Sequence, residues 1–260
     1  MMADSARFEP AVAALLAARR THVPIADWPA AARPSTMDEG YVIQGMVAER
    51  LASPLAGYKV GAASAASQKL IGAGPFAGRI FAAECHESPA TVAAKAFFMV
   101  GVEGEFGFRL NRDLPERARF TRADIIACVG EMIPIIEICD TRLADWRKSG
   151  VNQLVADNSF CGGIVLGTPV ADWKDIDFLT QEASLAIDGV EVGRGTGKLV
   201  QGHPLDSVAW LANELARLGI RMRQGQLIAT GTCTGLHMAV AGSVVTGGFG
   251  RYGEVRINVV

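Results

Sequence analysis

Four side chains in this sequence have the type and setting to do acid–base or metal chemistry. Glu103 and Glu105 stand in VGVEGEFGFRL (100–110), an apolar, strand-like stretch. In a strand the side chains alternate, so Glu103, Glu105 and Gly107 share one face, and Gly104, Phe106 and Phe108 the other. If the phenylalanine face packs into a core, the two carboxylates sit side by side opposite it, about 7 Å apart along the strand. Such a pair can converge on a hard divalent cation. The same spacing also suits a solvated face or a salt-bridged pair, and the ExE alone favours that reading. A third acid shifts the balance. Glu137 is the one charged residue inside MIPIIEIC (132–139), where a lone carboxylate costs several kcal/mol unless paired or metal-bound. Three embedded oxygen donors fit Mg²⁺ or Mn²⁺; an ion pair with Arg or Lys is the alternative for Glu137. The fourth residue, Lys59 in GYKVG, lies among apolar neighbours between two glycines. It suits an acid–base lysine of lowered pKa, a group holding an anionic substrate, or simply a surface lysine.

Other residues are less distinctive. His22, His86, His203 and His237 share no close spacing. His86 is near enough in sequence to be considered for a site around Lys59, although a structural histidine suits it as well. The GRGTGK run at 193–198 lacks the Ser or Thr and the long helix of a phosphate-binding loop, and reads as a plain loop. No GxSxG elbow is present. Cys161 has no neighbour that would activate it as a nucleophile.

The elements that must position these groups follow from periodicity. The first 55 residues read as helical: AVAALLAA after Pro10, then a segment opened by Thr36 and Glu39 at capping-box spacing, with Val42, Ile43, Met46, Val47 and Leu51 at helical intervals. From 56 to 260 the texture is short apolar runs between glycines and prolines, as strands would be. SLAIDGVEVG (184–193) is expected to be a hairpin turning at Asp188–Gly189, and HPLDSVAWLANELARLGI (203–220) a helix stopped by Gly219. The expected class is α+β: one domain over 1–260, with an N-terminal helical segment (1–55) joined to a β-rich catalytic body (56–260).

Composition narrows the function. The 260 residues are half hydrophobic and carry a formal net charge of −2, which gives no footprint for nucleic acid or an anionic membrane. Five scattered cysteines without a CxxC pair argue against a zinc cluster or a disulfide framework. The N-terminus reads as an amphipathic helix and not as a signal peptide, and no apolar run reaches the ~18 residues of a membrane span. A cytoplasmic, non-membrane protein is expected.

Taken together, GYKVG, VEGEFGFRLNRDL (102–114), PIIEICDTRLADW (134–146), VADNSFCGGIVLG (155–167), GHPLDSVAWLANEL (202–215) and GQLIATGTCTG (225–235) resemble the 2-oxopent-4-enoate hydratase and 4-oxalocrotonate decarboxylase family of the fumarylacetoacetate hydrolase superfamily. The resemblance spans nearly the whole chain. It implies a fumarylacetoacetase C-terminal-domain-like fold and a divalent metal, Mg²⁺ or Mn²⁺, on Glu103, Glu105 and Glu137. Lys59 is then the active-site lysine, and Ser159, Phe160, Cys161 and His86 are candidate substrate contacts. The implied activity is lyase chemistry on a small 2-oxo or 2-hydroxydienoic acid, as in the catabolism of aromatic compounds. Hydration is the first reading, and decarboxylation or C–C hydrolysis the close alternatives. A homo-oligomer, able to associate with a related decarboxylase or hydratase, is also implied. Two departures stand out. The family's hydratases carry an Asp before the Phe-Gly that follows the lysine strand, where this chain has GPFAGRIF; Glu84 or His86 are the available substitutes. The family's Asp-Asn-Ala-Ser-Ser appears here as Asp157 to Cys161, with Phe160 and Cys161 replacing small polar residues. These losses motivate an alternative of another class, a non-catalytic metabolite-binding or partner subunit.

Overall fold

The computed structural model describes residues 5–117 and 119–260. Two helices lead, α1 (Glu9–Thr21) and α2 (Met37–Leu51), followed by β1 (Leu55–Gly61), α3 (Ala65–Ile71), β2 (Phe76–Phe81), β3 (Cys85–Glu87), β4 (Ala90–Val92) and β5 (Gly101–Leu110). Then come α4 (Arg122–Ile126), β6 (Val129–Cys139), α5 (Val151–Ala156), β7 (Cys161–Leu166), β8 (Glu182–Ile187) and β9 (Val190–Thr196). The chain closes with α6 (Pro204–Arg217), β10 (Leu227–Ala229), β11 (His237–Met238), β12 (Val244–Gly248) and β13 (Glu254–Val259). Among the described residues the architecture is the expected α+β, two leading helices followed by strands with four further α-helices among them.

Local chemistry explains the element ends. Thr36 Oγ1 accepts from the Glu39 amide at 3.2 Å and caps α2, while Glu39 reaches back to the Ser35 amide, one residue earlier than a strict capping box. The Ile220 amide donates to the Leu215 carbonyl and Gly219 adopts φ 74, so α6 ends in a Schellman motif at the expected glycine. Asp188 and Gly189 take φ 53 and φ 78, the left-handed pair of a two-residue hairpin turn between β8 and β9. One reading changes. Gly193–Thr196 belong to β9 and not to a loop, since they pair with β8, and glycine is needed at 193 and 195 because a Cβ there would strike the Thr234 or Cys233 carbonyl (2.1 and 2.2 Å). Phe97 and Phe98 precede β5, and Phe98 stacks on His22 at 4.2 Å.

The larger sheet runs β2-β1-β10-β5-β6-β7-β3, with β11 pairing on β5. It curls far enough for its β2 side to meet the chain entering β7. There Asn158 imitates a peptide unit: Oδ1 accepts from the Arg79 amide and Nδ2 donates to the Arg79 carbonyl, both at 2.8 Å. The inward face packs Ile80, Ile133, Ile135, Ile164, Leu166 and Leu227 in one cluster. The outward face of β5 and β6 meets the second sheet, β4-β13-β12-β8-β9. Between the sheets, Phe106 and Phe108 pack edge-on against Phe178, Phe249 and Trp173, with centroids 5.2–5.7 Å apart. The phenylalanine face is thus the core face, which leaves the glutamates pointing into the curl.

The Asn158 link makes the closure testable. Asn158→Ala leaves the Arg79 amide and carbonyl without their partner and is expected to lower stability by about 2–3 kcal/mol in urea unfolding. Asn158→Asp sets a second acceptor oxygen against the Arg79 carbonyl in a buried place and should lose at least as much.

Candidate active site

The register of β5 against β6 sets Glu103 directly opposite Glu137, Glu105 opposite Ile135, and Gly101 opposite Cys139. Up to the irregularity at Arg109/Leu110, the odd residues of this pair face into the curled sheet, so carboxylates from both strands converge there. One ligand atom each from Glu103, Glu137 and Cys139 lie within 4.8 Å of one another. Glu105 is wholly buried, and its Oε2 accepts from the Gly231 amide at 2.8 Å. Gly231 has φ 110, and a Cβ there would meet Ala63 Cβ at 2.2 Å, so this anchor requires glycine. Lys59 arrives from β1, 3% exposed, with Nζ 3.0 Å from Glu137 Oε1 and donating to the Ser159 carbonyl at 2.9 Å. Opposite it on β2 stands Gly78, whose missing Cβ would lie 3.0 Å from the Lys59 stem.

Fully ionised, three carboxylates and one ammonium would leave this interior two negative charges in excess. Burial, and then the charge of Glu137, pushes Glu103 up to about 7. Burial, Glu137 and Glu103 raise Glu105 well above the usual carboxylate range. Glu137 is raised by burial, with Lys59 opposing. Burial works against the Lys59 ammonium, yet Glu137, Cys139 and Glu103 outweigh it and hold its pKa above the ordinary lysine value. Lys59 is therefore a charged, paired lysine, and the lowered pKa considered from the sequence does not hold. Glu105 Oε1 and Glu137 Oε2 receive no hydrogen bond from the described residues, and Glu137 Oε1 has only the Lys59 ion pair. Orphaned, buried, hard oxygen donors with excess negative charge are what a divalent cation satisfies, so the residues fit the metal that the sequence implied. The sulfur of Cys139 beside them went unnoticed in the sequence; its only signal there was its position two residues after Glu137.

These groups open onto a cavity of about 830 Å³ that reaches Lys59, Glu103 and Cys139, with Trp146 and Phe160 on its wall. Phe160 reaches it from a strained turn in which Asn158, Ser159 and Phe160 all adopt positive φ (62, 58 and 65). The other candidate contacts separate. Ser159 is buried, with Oγ donating to the Ala77 carbonyl at 2.7 Å, so it serves the site through its carbonyl on Lys59 and not through its hydroxyl. Cys161 is sealed into the inward cluster with Ile80 and Ile164 and does not line the cavity. His86 is displaced altogether. It lies on β3, the strand at the far edge of the sheet from β1, paired with Val165 of β7. It lines a separate cavity of about 400 Å³ together with Glu84, which pairs with Arg19 at 3.6 Å. Neither His86 nor Glu84 lines the larger cavity, where Glu103 is the one carboxylate among the described residues.

Further residues escaped the sequence reading. Arg142 and Asp157 form a buried pair, Nε to Oδ1 2.6 Å, that anchors the Asn158–Phe160 turn. Arg194 and Lys198 stand on the cavity lining, brought there by β9 and the turn after it. Nothing local marks such long-range placements.

Comparison with known proteins places these features. The fumarylacetoacetate (FAA) hydrolase C-terminal family matches residues 72–260. A 2-keto-4-pentenoate hydratase of Paraburkholderia phymatum is 31% identical over 259 residues, covering 98% of each chain. A 2-hydroxyhexa-2,4-dienoate hydratase of Comamonas testosteroni is 37% identical over 159 residues, 60% of each chain. Among solved structures, 4-oxalocrotonate decarboxylase from Pseudomonas putida G7, complexed with magnesium and adipate, superposes with a TM-score of 0.89 at 25% identity, covering 97% of this chain and 98% of that one. The chain belongs to the fumarylacetoacetate hydrolase C-terminal family.

The raised carboxylates give a signed expectation. In the metal-free protein Glu103 binds its proton more tightly folded (about 7) than unfolded (4.5), so this contribution is full below pH 4.5 and lost as pH rises through 7. The urea midpoint of the metal-free protein is expected to fall between pH 5 and pH 8. With Mg²⁺ or Mn²⁺ present the fall should shrink or reverse, because the cation competes with protons for the same oxygens. A metal-independent, flat profile would contradict the assignment.

Proposed function

We propose that this family member is a divalent-metal-dependent hydro-lyase acting on a 2-hydroxydienoic acid or its 2-oxo-alkenoate form, with Glu103, Glu105 and Glu137 holding Mg²⁺ or Mn²⁺. The observation that carries the reading is the pair of buried carboxylate oxygens left without a partner, Glu105 Oε1 and Glu137 Oε2, beside the charged Lys59. When bound, the ion supplies Lewis-acid polarisation of a chelating 2-oxo acid and stabilises developing enolate charge. The chain's residues do the rest. The Gly231 amide fixes one Glu105 oxygen and leaves the other for the ion. Lys59 offers three N–H donors, of which Glu137 and the Ser159 carbonyl occupy two, and the third serves the substrate's oxyanion or delivers a proton along the dienol. Trp146 and Phe160 meet edge to face on the cavity wall. Residues 1–260 act as one catalytic unit in this reading, the helices of 1–55 supporting the β-rich body. Assembly as a homo-oligomer, association with a related decarboxylase or hydratase, and a cytoplasmic location belong to the same reading and rest on the family resemblance. No helix among the described residues is long and apolar enough to cross a membrane.

A second reaction on the same site is favoured by one observation. Hydration needs a group to activate water, and among the described residues Glu103 is the cavity's one carboxylate, with no histidine other than those outside it. Decarboxylation or C–C hydrolysis of a related 2-oxo acid shares the metal and Lys59.

Two experiments separate the readings. Glu105→Gln is expected to weaken Mn²⁺ binding by roughly 10–100-fold and to lower turnover at least as much; full activity in this variant would remove the carboxylate assignment. Product analysis should give the 4-hydroxy-2-oxo acid without CO₂ release, whereas stoichiometric CO₂ would establish the decarboxylase reading. Metal binding without turnover of any 2-oxo acid would support the non-catalytic binding subunit instead.

A further inference from the structure

The cavity is larger than the reacting end of the substrate needs. At about 830 Å³ it falls in the range that encloses a ligand of drug size, roughly 300–1,000 Å³. Taking the proposed reaction as given, the acid end of the substrate sits at Lys59 and Glu103, and its distal end points along the remaining wall. That wall carries neutral polar side chains such as Ser67, Gln68, Gln201 and Thr232, and beside them large apolar ones. Trp146 and Phe160 meet edge to face at 5.1 Å and 89°. Further out, Leu70 and Leu199 line the same cavity while 59% and 50% exposed, two large apolar side chains left facing water at its mouth. Phe160 is held on this wall by left-handed backbone, φ 65, a conformation that disfavours a bulky residue. Strain of this kind persists where surrounding structure enforces it and clusters at ligand sites. Charge along the wall is scarce. Apart from Lys59, the lining cations are Arg194 and Lys198, and Arg194 is already engaged by Glu182 at 2.6 Å and by Glu191. Among the described residues, the one lining cation left for a second carboxylate on the substrate is Lys198, on the exposed rim.

The geometry points to a substrate whose distal carbon carries a bulky apolar group, an aryl ring or a branched alkyl chain, in place of hydrogen, methyl or a second carboxylate. The Trp146–Phe160 pair and the two exposed leucines form its subsite, and burying them against the substrate supplies the discrimination.

The test measures binding of three unreactive 2-oxo acids to the Mn²⁺-loaded protein by calorimetry: 2-oxobutanoate, 2-oxoadipate and 6-phenyl-2-oxohexanoate. The phenyl acid is expected to bind at least about tenfold more tightly than 2-oxobutanoate. Trp146→Ala should remove most of that preference while changing 2-oxobutanoate affinity by less than about threefold. Because Trp146 is 9% exposed and its truncation also disturbs packing, Leu199→Asp at an exposed position serves as a second variant and should weaken the phenyl acid selectively. Equal affinities, or tightest binding of 2-oxoadipate with loss in Lys198→Ala, would overturn the proposal while leaving the metal and lyase reading intact. Failure of Mn²⁺ itself to bind would overturn both.

Discussion

The structure depends on an excess of negative charge kept inside a protein. Glu105 and Glu137 are fully buried, Glu103 lies beside them, and Lys59 is the one cation inserted among them. Isolated buried carboxylates shift their pKa or find a partner. Here one proton-like solution is visible in the raised carboxylates, and a second in the ion that the orphaned oxygens fit. Everything around the cluster serves to hold it in place. The aromatic layer of Phe106, Phe108, Phe178, Phe249 and Trp173 fixes the back of the glutamate strand, and the isoleucines of the inward face fill the rest of the curled sheet.

Closure of that sheet places Lys59. β1 and β6 are separated by β10 and β5, yet Lys59 and Glu137 make contact because the sheet curls and their side chains meet across its interior. The Asn158 amide joins the β2 side to the start of β7, and the next residue, Ser159, gives its carbonyl to Lys59. One short turn, anchored by Arg142 on Asp157, therefore closes the sheet, orients the lysine and presents Phe160 to the cavity. This coupling explains why three consecutive non-glycine residues tolerate left-handed backbone: each has a partner that over-determines its position.

Much of this was legible in local sequence. Alternation along 100–110 separated the carboxylates from the phenylalanines, and the isolation of Glu137 among isoleucines marked it as needing a partner. Capping at Thr36 and the Asp188–Gly189 turn were local signals as well. What the sequence left hidden depends on contacts between distant segments. His86 is close to Lys59 in the chain but lies beyond β7 in the sheet, because strand order does not follow chain order. Cys161 looked like a site residue from its place in the motif, yet the pleat turns it into the inward cluster. Cys139 joined the glutamates only once the β5–β6 register was known. The charge state of Lys59 likewise depended on Glu137, whose approach no spacing within β1 reveals.

The central claim is that Glu103, Glu105 and Glu137 together hold one divalent ion beside Lys59. Anomalous diffraction from crystals equilibrated with Mn²⁺ tests it most directly. The account expects a single strong peak inside the curled sheet, within about 2.0–2.6 Å of an oxygen from each glutamate. No peak there, or Mn²⁺ found only on the surface with Lys59 still paired to Glu137, would contradict it.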